Sequence, residues 1–125
     1  MKYKIIINII NHHLDKDELN ESIALANQHK DTPYHEDYSE TGGEGYFDMT
    51  IELIQLGRDL KMELVYTGEG KTFEERHNKM KRMVESGELQ RSLLYDCEAD
   101  INDPGAKKKA DKITANIIRI GTSKE

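Results

Sequence analysis

Apolar residues first recur at every second position, with Tyr3, Ile5, Ile7 and Ile9 on one side of the chain and Lys4, Ile6, Asn8 and Ile10 on the other. Period two with β-branched isoleucines on both sides predicts a strand over 3–10, partly covered on both faces and central in its sheet. Leu14-Asp15-Lys16-Asp17-Glu18-Leu19 follows. There Asp15 suits an N-cap, Glu18 falls at the third helical position, and Leu14 and Leu19 are spaced for a hydrophobic staple. The helix this opens, over 16–29, brings Leu19, Ile23 and Ala26 to one face. Both periods are lost over residues 30–45, where Pro33, Ser39 and Thr41-Gly42-Gly43-Glu44-Gly45 predict a long acidic loop. Loops of that length in compact domains often serve function.

Alternation returns with Phe47, Met49, Ile51 and Leu53, and again with Leu60, Met62, Leu64 and Tyr66 after the turn residues Gly57-Arg58-Asp59, which predicts a hairpin. A second helix is expected from Thr72, with Glu75 completing a capping box, Phe73, His77, Met80 and Val84 on one face, and Gly87 as its stop. Leu93, Tyr95, Cys97, Ala99 and Ile101 then alternate with Leu94, Asp96, Glu98 and Asp100, predicting another strand before the Asp103-Pro104-Gly105 turn. The tail from Ala106 fits a lysine-rich connection and a last strand near 112–121, or else a helix. The expected fold is therefore α+β: an antiparallel sheet with two helices on one face, in the order β-α-β-β-α-β-β. The first six of these elements match a ferredoxin-like order, an arrangement that hosts many functions and implies none.

The 125 residues suit one domain over 1–125 with a real core. Eighteen bases against 24 acids give a formal charge of −6, which disfavours nucleic acid as a partner of the whole surface. That charge is unevenly placed. Residues 1–30 are neutral, 31–57 hold seven acids and no base, 58–104 carry −3, and 105–125 carry +4. No apolar run approaches a membrane span, no secretory leader is visible, and the single Cys97 fits a reducing compartment. A cytoplasmic protein without a membrane role is expected.

Chemical motifs are sparse. Val65-Tyr66-Thr67-Gly68-Glu69-Gly70-Lys71-Thr72 runs from a strand into Gly-Lys-Thr and a helix, but the glycine that a phosphate-wrapping loop needs five residues before its lysine is Tyr66 here. A helix N-terminus with Lys71 and Thr72 still suits an isolated anion. The two glycine clusters, Gly42, Gly43 and Gly45 and then Gly68 and Gly70, flank the hairpin at the same end, so their amides can frame a nucleotide or another anion. The five histidines lack zinc-ligand spacing. Cys97 has Asp96 and Glu98 as neighbours, which suits a small core residue and not a nucleophile. No catalytic residue, cofactor or metal is expected.

The leading expectation is a small non-enzymatic binding protein that works through protein–protein contacts. Acidic domains of this size include accessory or inhibitor proteins of phages and mobile elements. Its contact residues are expected in the acid block (Glu36, Asp37, Glu40, Glu44) and in the outward row Asp96, Glu98, Asp100. A second copy is a natural partner, because a one-layer sheet leaves a face uncovered and the chain is bipolar. The alternative is the small anionic ligand held by the Gly42–Gly45 and Gly68–Lys71 loops.

Overall fold

The computed structural model describes residues 1–37, 45–96 and 100–121, excepting the side chains of Glu36 and Asp37. The chain runs through β1 (Lys2–His12), α1 (Lys16–Lys30), β2 (Tyr34–Asp37), β3 (Tyr46–Leu56), β4 (Asp59–Glu69), α2 (Lys71–Glu85), α3 (Glu88–Leu94) and β5 (Ala110–Arg119). The strands form one antiparallel sheet in the order β2-β3-β4-β1-β5. The isoleucine-rich first strand, expected to be central, is interior to the sheet, between β4 and the edge strand β5.

Register lines up the alternating apolar residues. Ile5 lies between Leu64 and Ile117, and Ile7 between Met62 and Ala115. Phe47 pairs with Gly68 and Met49 with Tyr66 on the same face. Against this face pack Phe73 and Val84 of α2 with Leu89 and Leu93 of α3, and the cluster centres on Ile5, Ile7, Phe47, Tyr66, Phe73, Val84, Ala110 and Ile113. Phe73 is fully buried, a contribution of about 2–3 kcal/mol for one side chain.

The observed order, β-α-β-β-β-α-α-β, departs from the expected β-α-β-β-α-β-β in two places, and the packing of the helices departs in a third. The first is β2, which forms inside the stretch read as a loop. Tyr34-His35-Glu36-Asp37 has little strand character of its own, and pairing along the edge of β3 supplies it. In the second, Leu93 and Leu94, expected to open a strand over 93–101, end α3 instead, and residues 97–99 lie outside the described ones. Glu88, Leu89, Gln90, Arg91, Leu93 and Leu94 favour helix, and Leu89 and Leu93, four apart, both reach the core; the alternation beginning at Leu93 was coincidental there. The third concerns the two helices sharing the core cluster, which are α2 and α3. No α1 residue belongs to that cluster; α1 lies along β3 with Ala26 buried. The tail forms a strand, β5, and not the alternative helix.

Local signals fared unevenly. Asp15 caps α1, its Oδ1 accepting from the Glu18 amide at 2.8 Å. In α2, by contrast, the N-cap is Gly70 and no side chain caps, so Thr72 lies inside the helix and the expected capping box does not form. Gly87, at φ +80°, ends α2 and opens α3, while its amide and that of Ser86 return to the Val84 and Arg82 carbonyls. Gly57, at φ +66°, takes the first position of the two-residue hairpin loop. Among the described residues, no helix is long and apolar enough to cross a membrane.

Candidate functional site

The helical face of the sheet is incompletely filled. Ile5 and Ile7 of β1 and Met62 and Leu64 of β4 floor a groove of about 230 Å³, walled by Met80 and Met83 of α2 and Leu89 and Leu93 of α3. Among the described residues, no polar side chain lines it. The floor isoleucines are buried, whereas the other six residues are only half-buried. The groove exists because α3 continues the chain toward β5 while α1 sits out along β3, leaving the core side of β4 roofed on one flank only. Three of its eight lining side chains are methionines, which adapt to varied apolar shapes.

Beside the groove, α2 contributes to an aromatic cluster. Tyr66 Oη lies 2.6 Å from His77 Nδ1, the His77 ring stacks on Tyr3 with centroids 3.9 Å apart, and Tyr66 stacks on Phe47 at 5.4 Å. Burial holds the His77 imidazole below its ordinary value, with Lys81 adding to the effect. Burial, aided by Tyr3, pushes the Tyr66 phenol up. Both groups are thus neutral, with the hydroxyl donating to Nδ1. Arg76 sits 5.0 Å from the Phe47 ring centroid, a cation–π contact.

The opposite face of the sheet is ionic. Glu63 bridges Lys61 at 2.9 Å and Lys4 at 3.5 Å, and Lys30 reaches Glu52 at 3.5 Å. His35 Nδ1 meets Asp48 Oδ1 at 2.5 Å. At the far end of β1, His13 Nε2 lies 2.8 Å from Asp111 Oδ1. His13 and His35 therefore engage separate carboxylates, and no group of three metal-ligating side chains occurs among the described residues.

The glycine positions expected to hold a ligand divide. Gly42 and Gly43 lie outside the described residues, as do Glu40, Glu44, Cys97 and Glu98. Gly45 and Gly68–Gly70 do meet at one end of the hairpin, where Tyr46 pairs with Glu69. Their lack of side chains serves close packing: a methyl group at Gly45, which has φ +121°, would overlap the Glu69 carbonyl, and one at Gly68 would overlap Phe73 and the Tyr46 carbonyl. The amide of Gly68 donates to the Met1 carbonyl at 3.2 Å, and its carbonyl accepts from the Met1 ammonium at 3.1 Å. Lys71 is exposed and Thr72 half-buried in the first turn of α2.

Of the acidic contact residues, Glu36 and Asp37 lie on edge strand β2. Of the expected outward row Asp96, Glu98, Asp100, Glu98 lies outside the described residues and the other two stand in no strand. Asp96 follows the isolated bridge between Tyr95 and Lys108, and Asp100 opens a turn, its Oδ1 accepting from the Asn102 amide at 2.9 Å. The groove itself escaped the sequence reading because Leu89 and Leu93 were not placed on one helix. Met62, Met80 and Leu64 were legible as inward-facing, but pattern gives no measure of how completely they are covered. Compared with protein-family models, curated proteins and solved structures, the chain matches none.

Proposed function

We propose that the protein is a small non-enzymatic binding protein that engages another protein through the groove between β4 and the α2–α3 pair. The observation carrying this reading is a concavity whose described lining is wholly apolar, six of its side chains incompletely buried, on an otherwise strongly ionised chain. An apolar concavity suits the insertion of a partner's apolar side chain, and adaptable methionines fit varied apolar shapes. We read the strand order β3-β4-β1-β5 as a variant of the split βαβ plan of ferredoxin-like sheets, with β2 and α3 as additions. That plan is neutral on function.

The test uses photo-methionine incorporated in place of the chain's methionines in its native cells. Cross-links from Met62, Met80 and Met83 to one discrete protein, in excess over those from exposed Met1, are expected. Cross-links to a partner from Met1 alone, or none from the three groove positions, would overturn the reading. An anion held between the glycine loops is the weaker reading, because Gly68 already spends its amide on Met1 and Glu69 brings negative charge to the same place. Thermal stabilisation by nucleotide or phosphate that is lost in Lys71→Ala would favour it instead.

A further inference from the structure

The face of the sheet turned away from α2 and α3 carries one polar row that the groove does not use. Register sets His35 beside Asp48, Asp48 beside Thr67 and Thr67 beside Lys2, across four strands. Directly opposed residues on neighbouring strands share a face, and Phe47 and Tyr66, the chain neighbours of Asp48 and Thr67, point into the core on the other. Lys2 and Asp48 line one depression of about 230 Å³, completed by Pro33, Thr50, Val65 and Thr67. A larger depression of about 380 Å³ lies on the other side of Lys2 and Thr67, but among its described lining residues there is no acid, so only the smaller one holds both signs of charge.

These two opposite charges do not bridge each other. Asp48 Oδ1 is engaged by His35 Nδ1, while among the described residues Asp48 Oδ2 and the Lys2 ammonium have no hydrogen-bond or ion-pair partner. Thr67 stands between them, and two interstrand spacings, roughly 10 Å, separate their backbones. The next charges along this face are paired: Lys4 and Lys61 with Glu63, and Lys30 with Glu52. We infer that the depression binds a small zwitterion, a free amino acid with an apolar side chain, whose carboxylate meets Lys2 and whose ammonium meets Asp48. A simple anion placed there would be repelled by Asp48 and a simple cation by Lys2, whereas a molecule carrying both signs is repelled by neither. The flexible four-carbon stem of Lys2 lets its ammonium close on a ligand seated over Thr67. Val65 and Pro33 offer the apolar body a surface. The volume is that of about seven or eight liquid waters, room for a leucine-sized molecule. The inference stands apart from the proposed groove, which lies on the helical face.

The experiment is amide NMR of the full chain titrated with leucine, leucinamide and N-acetylleucine, in the wild type, Lys2→Met and Asp48→Asn. Leucinamide lacks the carboxylate charge and N-acetylleucine the ammonium. In the wild type, leucine is expected to shift the Lys2, Asp48 and Thr67 signals saturably, with each derivative about tenfold weaker, the effect of losing one hydrogen bond to a charged group. Lys2→Met should bring leucine down to the affinity of leucinamide, and Asp48→Asn to that of N-acetylleucine. Should either variant lose its dispersed spectrum, the two derivatives on the wild type decide the matter. No saturable shift at these residues up to the solubility limit of leucine would overturn the inference. So would a derivative that binds as tightly as leucine, or leucine binding unchanged by both substitutions.

Discussion

Tyr66 Oη and His77 Nδ1, 2.6 Å apart, join the most buried hydroxyl of β4 to the half-buried face of α2. Through this bond the sheet fixes the rotation of α2, because His77 is also held by the Tyr3 ring at 3.9 Å between centroids. Phe73 and Val84 on the same helix face then reach the core together. Tyr66→Phe keeps the ring stacking but leaves Nδ1 without its donor in a partly buried place. The expected loss is about 1–2 kcal/mol of unfolding free energy, read from urea denaturation at neutral pH. An unchanged midpoint would mean that ring packing alone sets the helix.

The same pair makes stability depend on pH. Burial lowers the folded-state value of His77 from its ordinary 6.5, so below that pH the unfolded chain binds a proton that the folded chain refuses. Stability contributed by neutral His77 is complete above 6.5 and falls as pH drops from there toward the depressed folded value. His77→Gln, which retains an acceptor for the Tyr66 hydroxyl, should flatten this part of the profile. Paired urea titrations across the window check it, and parallel profiles for the two proteins would refute the assignment.

Gly68 is where the chain tolerates least. It sits mid-register opposite Phe47, and a methyl group there would strike the Phe73 ring and the Tyr46 carbonyl, the first in the centre of the core and the second fixed backbone. Neither can yield without separating α2 from the sheet or β3 from β4. Gly68→Ala is expected to cost about 3 kcal/mol or more, at the upper end of single-substitution effects. Loss of the cooperative thermal transition, or recovery of the chain only in insoluble form, is the readout. Gly57→Ala, with open space around it, is the contrasting control and should cost about 1 kcal/mol for its positive φ alone.

These positions show which parts of the molecule were legible in advance. Strands with their own period-two pattern, such as Ile5 to Ile9 or Phe47 to Leu53, were readable because the information is local. So was the Asp15 cap, which needs only a carboxylate three residues ahead of an amide. β2 was hidden because its conformation comes from the edge of β3, a partner remote from Tyr34 in pattern if not in sequence. α3 was hidden because Leu93, Tyr95 and the residues beyond imitate a strand, while the evidence for helix lies upstream in Leu89 and Gly87. The glycines beside Glu69 were correctly brought together, yet their packing roles against Phe73 and Tyr46 could not be read from a glycine-rich string, which looks alike in a ligand cradle and in a tight crossing. The groove depends on how far α1 stands from α2, a tertiary quantity with no sequence period.

The ionic face offers a last test, because one carboxylate serves two strands there. Glu63 of β4 meets Lys61 on its own strand and Lys4 across on β1. The hydrogen bond from Lys61 is the main reason its carboxyl lies below the ordinary 4.5, opposed by burial and helped by Lys4. Its side chain is 18% exposed, so water screens the pairs only in part. A carboxylate with a depressed folded value stabilises the protein above its ordinary value and loses that contribution as pH falls through the folded value. Glu63→Gln should therefore cost about 0.5–1 kcal/mol at neutral pH and low salt. The gap should narrow in high salt and close at pH well below 4.5, where Glu63 is itself uncharged. Urea unfolding of both proteins under the three conditions decides the point: a gap that persists in acid would trace the loss to altered packing on the sheet face and not to the charges of Lys4 and Lys61.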